Sequence, residues 1–358
     1  MQRKHTITPV QLTFAPPALA CRDALSAVVP IGDSLWVAND ETTHLERLTY
    51  QGETPDGNPH YAAHTRINLH DYLKLPVAAA AADNEVDVEG LACADGYLWL
   101  VGSHSLKRKQ PKSGNASKGI ERLATLTTDA NRYLLARIPW VQEHGNTTLQ
   151  APAAQLPIHK DGNALLDALH DDPHLGAFLR IPGKDNGFDI EGLAVVGQRV
   201  FLGLRGPVLR GWAVILELAV EAANDAPSTL QLVKIGKGKR PYRKHFLPLN
   251  GLGVRDLCVQ GNDLLILAGP TMSIDGPVRV YRWLGGANPN ADSLVTTEAL
   301  QIVTEIPHGH GDDHAEGMCL WQQADGQDAL LMVYDNAAQA RKRGKDGVLA
   351  DLFPITSG

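Results

Sequence analysis

The 358-residue chain is poor in cysteine, with four, and in aromatic side chains, at 6%. It also has no long apolar run. No stretch approaches the roughly 18–20 residues that a bilayer-spanning helix needs, so no helical membrane span is expected. The first residues, Met1-Gln-Arg-Lys-His-Thr-Ile-Thr, lack the apolar segment of a secretory signal. Cys21, Cys93, Cys258 and Cys319 show neither CxxC spacing nor a metal-finger pattern. Reduced, structural thiols in a cytoplasmic protein are therefore expected. No P-loop, Rossmann fingerprint or Ser-His-Asp order is present. The formal net charge of −7 gives no global reason to expect nucleic acid or an anionic membrane as partner.

What the chain does have is apolar content of 44%, with 34 glycines and 22 prolines spread along its length. That suits many short strands joined by tight turns. A repeat is visible. Asp87-Val-Glu-Gly-Leu-Ala-Cys precedes Tyr97-Leu-Trp-Leu-Val-Gly, and Asp189-Ile-Glu-Gly-Leu-Ala-Val precedes Arg199-Val-Phe-Leu-Gly-Leu. His314-Ala-Glu-Gly-Met-Cys-Leu then precedes Ala329-Leu-Leu-Met-Val-Tyr. Weaker copies lie at 24–29 with 34–39 and at 253–259 with 263–268. Each copy reads as a hairpin whose second strand is buried on both faces. Three of the cysteines fall at nearly one position of the repeat, where a small buried hydrophobe is expected.

Aligned copies make Ser26, Glu89, Glu191, Arg255 and Glu316 equivalent, at intervals of 63, 102, 64 and 61 residues. Four strands with loops need about 40–60 residues. The expected fold is all-β: a five-bladed β-propeller forming a single domain over 1–358. The long interval is assigned to a rim insertion at about 141–180, with a short helix broken at Pro173. A sixth, degenerate blade there is the alternative. Third strands are expected at 44–50, 120–126, 213–218 and 278–283, and fourth strands at 65–69, 133–138, 230–235 and 300–306. The first strand, 6–14, would complete the last blade and close the ring.

In a propeller the first strand of each blade lines the axis. Alternation along a strand would put both carboxylates of Asp-x-Glu on one face. A ring of Ser26, Glu89, Glu191, Arg255 and Glu316 follows, with Asp87, Asp189 and His314 nearer the mouth. Converging carboxylates need a positive partner. Arg255 could supply it as an axial ion pair, giving a structural ring. A divalent cation, Ca²⁺ first, could instead be held by Glu89, Glu191, Glu316 and Ser26. The 308–314 segment, His-Gly-His-Gly-Asp-Asp-His, could ligate Zn²⁺, Mn²⁺ or Fe²⁺ or be a solvated loop.

Basic residues gather in loops expected on one face: Lys107, Arg108, Lys109, Arg205, Arg210, the 237–245 stretch, Arg341 and Arg343. An anion-receiving mouth above carboxylates and histidines suits a phosphorylated or otherwise anionic small molecule. Asp87, Asp189, His314 and His104 would be its catalytic groups, in a metal-dependent hydrolase. A non-catalytic propeller binding a protein or acidic polymer through the basic face is the alternative, and those loops leave nucleic acid open.

The Asp-x-Glu-Gly-Leu-Ala copies resemble an uncharacterised bacterial propeller family, a domain of unknown function, and the wider phytase-like or esterase-like propellers. The chain is also similar to calcium-activated nucleotidases, five-bladed proteins whose inner strands present serine and glutamate to an axial calcium ion. That resemblance implies ligand roles for Ser26, Glu89, Glu191 and Glu316, and Arg255 departs from its pattern.

Overall fold

The computed structural model describes residues 7–16, 18–78, 85–112, 114–143, 146–272, 274–323 and 326–355. It is an all-β, propeller-like fold with few helices. Five antiparallel hairpins recur: Ala27–Ile31 with Ser34–Ala38, Val88–Ala94 with Tyr97–Gly102, and Asp189–Val196 with Arg199–Gly206. Gly253–Gln260 with Asp263–Gly269, and His314–Gln322 with Asp328–Asp335, complete the set. The first strands pack in sequence, and that of the fifth hairpin returns to pack on that of the first.

Outer strands extend each hairpin. His44–Glu53 and Pro59–Asn68 follow the first, and Val278–Trp283 and Leu300–Ile306 follow the fourth. Ala213–Ala223 follows the third and pairs with both Ala226–Val233 and Tyr242–Leu247. Gly347–Pro354 follows the fifth, and Thr8–Thr13 pairs antiparallel beside it, Thr8 opposite Leu352. This is the joining of chain ends expected for the N-terminal strand; Thr6 lies outside the described residues.

Buried apolar side chains form five clusters, each mixing residues of neighbouring sheets. Trp36 of the first hairpin and Leu98 of the second share one cluster, for example. This explains why the second strands are largely apolar through their middles: both faces meet a neighbouring sheet. The glycine of Glu-Gly has a related cause. A Cβ on Gly90 would lie 2.5 Å from Leu193 Cβ, and one on Gly317 2.9 Å from Ala27 Cα. Glycine there lets adjacent inner strands approach.

Two strand expectations need correction. Residues 120–126 are not a third strand, since Ala116–Ala124 is a helix whose start is capped by Asn115 accepting from the Lys118 amide. The apolar residues Ile120 and Leu123 are three apart, a helical spacing. The third strand of that sheet is instead Leu135–Glu143, paired with Tyr97–Gly102, so 133–138 is not its fourth. The 141–180 segment forms no sheet of its own like the others. It carries the end of that strand, short pairings, the helix Ala164–Leu169 and the turn Gly176–Arg180, with Pro173 between the last two. Cys93 is exposed where a buried hydrophobe was expected, while Cys21 and Cys319 are buried; all four thiols are free. No helix among the described residues is long and apolar enough to cross a membrane.

Leu12 is fully buried in the cluster that joins the N-terminal strand to the fifth sheet. Leu12→Ala should cost about 2–5 kcal/mol, read as a lower urea midpoint in equilibrium unfolding.

Candidate functional site at the axis

Four of the five inner strands carry a β-bulge at the same place. Pairing jumps from Val88 to Gly90, from Ile190 to Gly192, from Val254 to Asp256 and from Ala315 to Gly317. The skipped residues are Glu89, Glu191, Arg255 and Glu316. A bulge re-aims a side chain and bends its strand. Their common placement therefore comes from the bulge, where simple alternation with Asp87 and Asp189 was the expected cause. Ser26 precedes its strand, and its hydroxyl donates to the Val88 carbonyl at 2.6 Å, tying the first inner strand to the second.

The charged groups form a chain of ion pairs. Arg205 reaches Asp189 with one nitrogen and Glu191 Oε1 with another, the latter at 2.6 Å. Arg255 Nε lies 3.0 Å from Glu191 Oε2, and its Nη2 pairs with Glu316 Oε1. Arg132 pairs with Asp87 and, at 2.9 Å, with Glu85 Oε1. It also donates to Ser103 and Ser105 hydroxyls. Beneath this chain Asp256, buried, accepts the Met318 amide at 2.6 Å and the Leu257 amide at 2.7 Å. It stitches neighbouring inner strands together.

Arg205 was expected among the anion-binding loops. The structure instead buries it in the axial chain, because the end of its strand turns inward where pairing skips from Leu204 to Gly206.

Two cavities open at the axis. One, of about 570 Å³, takes in Asp40, Asp87, Glu89, Arg132 and the 105–111 segment. The other, of about 620 Å³, takes in Arg255, Ile274, Asp275, His308 and His314. Lys184, Arg205, Met272, Glu316 and Asp335 border both. Among the described residues the Glu89 side chain has no hydrogen-bond or ion-pair partner. Burial first, then Asp87, Glu191 and other carboxylates, push its pKa well above the ordinary carboxyl range. Burial, followed by the charges of Asp87, Glu316 and Asp335, pushes Asp40 up to about 8. Burial also raises Asp335, chiefly helped by Glu316. Glu191 is pushed up to about 7 by burial, despite the opposing pull of Arg205 and Arg255.

The expected metal ligands do not fit a cation. Ser26 spends its hydroxyl hydrogen on a backbone carbonyl, and Glu191 and Glu316 are held by guanidinium groups. Among the described residues no group of three or more His, Cys, Asp or Glu side chains is arranged to hold an ion. In the 308–314 segment, His310 and His314 come only within 3.8 and 3.7 Å of Asp275.

His104 borders neither cavity. Its Nδ1 lies 2.7 Å from the Gly102 carbonyl and its Nε2 2.8 Å from the Asn163 amide nitrogen. Burial pushes it down to about 4, so it is a neutral anchor for the 141–180 segment. Both His104 and Asp87 hold left-handed backbone, φ 56° each, at the open end of the second hairpin.

The remaining basic residues are also largely occupied. Lys107 pairs with Glu85, and Arg108 Nε lies 2.6 Å from Asp185. Arg341 lies 2.8 Å from both Asp313 and Asp351 and stacks over Tyr334. Arg343 donates to nearby backbone carbonyls, while Arg210 is an exposed turn residue; neither borders a cavity. The 237–245 stretch enters the strand Tyr242–Leu247: Lys244 is buried against Asp172 at 2.5 Å, and Arg243 pairs with Glu217. Sequence reasoning left Arg132, Asp256 and Lys184 out of the site. None stands in the repeated motif at the position that singled out the others.

A family model described as "Protein of unknown function (DUF3616)" matches residues 24–351. The chain belongs to the DUF3616 family. No curated protein matches the sequence. Among solved structures, this DUF3616 protein is similar to the PQQ-bound aldose sugar dehydrogenase of Streptomyces coelicolor, at 10% identity and TM-score 0.36, covering 98% of each chain. It is also similar to a chain of the Chaetomium thermophilum Polycomb Repressive Complex 2 bound to GSK126, at 11% identity and TM-score 0.36, covering 91% of this chain and 70% of that one. The tail fibre of Staphylococcus aureus phage P68 matches at 11% identity and TM-score 0.32, covering 98% and 53%.

Removing Arg255 leaves the half-buried Glu316 without its guanidinium and Glu191 with Arg205 alone. Arg255→Met should cost about 3–5 kcal/mol in urea unfolding, and adding Glu316→Gln should recover part of that loss. Asp40 supplies a pH test. Its unfolded carboxyl ionises near 4, whereas the folded one keeps its proton to about 8. Its stabilising contribution is full below pH 4 and is lost as pH rises through 8. Asp40→Asn should therefore gain stability relative to the unsubstituted protein between pH 5 and pH 8.5, measured by urea midpoints.

Proposed function

We propose that this DUF3616 protein is a single-domain, five-bladed propeller whose axial mouth is the active site of a hydrolase. Its substrate is a small phosphorylated or otherwise anionic molecule. The five hairpins, the cyclic packing of their first strands and the five inter-sheet clusters support the blade count.

The observation that carries the catalytic reading is the sorting of carboxyl groups at one opening. Asp87, Asp189, Glu191 and Glu316 are engaged by guanidinium groups. Glu89 and Asp40 are not; burial among other carboxylates raises both, Asp40 to about 8. Groups driven apart in this way divide acid from base work. Glu89 donates its proton to the leaving oxygen as the ester bond breaks. The attacking water forms the new bond and returns a proton to the Glu89 carboxylate. The protonated Asp40 donates a hydrogen bond to an anionic oxygen. With Ser26, Glu191 and Glu316 engaged by a carbonyl and by guanidinium groups, this reaction uses the carboxyl groups themselves.

A panel of phosphomonoesters, nucleotides and simple esters, with and without Ca²⁺ and Mg²⁺, tests this. Turnover of one class is expected, insensitive to chelator, with kcat lowered about 10²–10⁴-fold by Glu89→Gln. Absence of turnover across the panel, or full activity in Glu89→Gln, would refute it.

A further inference from the structure

We infer that Lys184 is the residue that selects an anionic substrate at this mouth; the inference rests on the axial opening being the substrate site. Of the two cations that border both cavities, Arg205 is committed to Asp189 and Glu191. Lys184, exposed, has no hydrogen-bond or ion-pair partner among the described residues and stands where the two cavities meet. Its charge is felt at Asp335, which it pulls downward against burial.

An unpaired lysine on a free loop would be ordinary solvated surface. The loop that carries Lys184 is held from several sides. Gly183 donates its amide to the Leu106 carbonyl at 3.1 Å, Asp185 is paired to Arg108, and Asn186 accepts the Val208 amide at 3.0 Å. Asn186 itself is left-handed, φ 63°, closing the turn. A Cβ on Gly183 would collide with Asp189 Oδ2, the carboxylate that binds Arg205. The loop is thus seated directly on the axial ion-pair chain. A cation placed this way is set for a ligand's charge.

The neighbouring groups leave that task to Lys184. Arg132, Arg205 and Arg255 are taken up by Glu85, Asp87, Asp189, Glu191 and Glu316, and Asp40, raised to about 8, is a hydrogen-bond donor. Lys184 then supplies the uncommitted positive charge facing the substrate. An ammonium acts on phosphate or carboxylate as a point charge, which arginine can replace.

Inorganic phosphate is the probe, titrated into the full-length protein by calorimetry at pH 7 and low ionic strength. Lys184→Ala should weaken its binding at least tenfold, and Lys184→Arg should restore it to within about threefold. Both variants should keep the unsubstituted thermal midpoint, because Lys184 has no partner to lose. With any turned-over pair of matched substrates, Lys184→Ala should raise KM for the anionic one and leave that for the neutral one unchanged. Equal phosphate affinity in Lys184→Ala, or no phosphate binding to the unsubstituted protein, overturns the inference. Phosphate binding that depends on Lys184 without turnover of any ester would instead overturn the hydrolase reading and leave the anion site standing.

Discussion

The ion-pair chain Arg205–Glu191–Arg255–Glu316 is the constraint on which the centre of the molecule depends. It joins side chains of the third, fourth and fifth hairpins across the axis. Burying such charges is costly, and each is tolerable only while its partners are in place. The chain therefore specifies which residue faces which. Arg132 with Asp87 and Glu85 repeats the arrangement at the second hairpin.

Backbone geometry makes this possible. A bulge at one position of four inner strands turns each charged side chain toward its neighbours, while the glycine after each glutamate lets adjacent strands approach. Asp256 then satisfies amides that lie between strands. Polar pairing at the axis and apolar packing between sheets are thus two sides of the same strands. Around that framework the loops differ. The mouth gathers side chains of several hairpins and their loops, with Glu89 and Asp40 on one cavity and Lys184 on both.

The likeness to calcium-binding propellers fails at the donors. Where an axial ion would need a hydroxyl and three free carboxylates, Ser26 holds a strand and two glutamates hold arginines. Arg255, one substitution within a repeat, signalled this in the sequence. That Arg205 joins it from a second strand could not be read there, because its inward turn depends on an irregular pairing opposite Asp189.

Local pattern by itself determined the repeated hairpins, the register of the equivalent residues 89, 191, 255 and 316, and the outer strands with regular apolar runs. Each of these is carried by short-range periodicity. It also identified the N-terminal strand as the partner of the last sheet, since both were left incomplete. It misread 120–126, where apolar spacing suited strand and helix alike, and it treated basic residues by their density in the chain. Tertiary structure decided which charges are free. Pairing of Arg108 with Asp185, of Arg341 with Asp313 and of Lys244 with Asp172 joins residues far apart or on different elements. It likewise decided that His104 is sealed against Asn163 while Lys184 stands open. Burial and partner distance set charge and protonation, and neither exists until the sheets have packed.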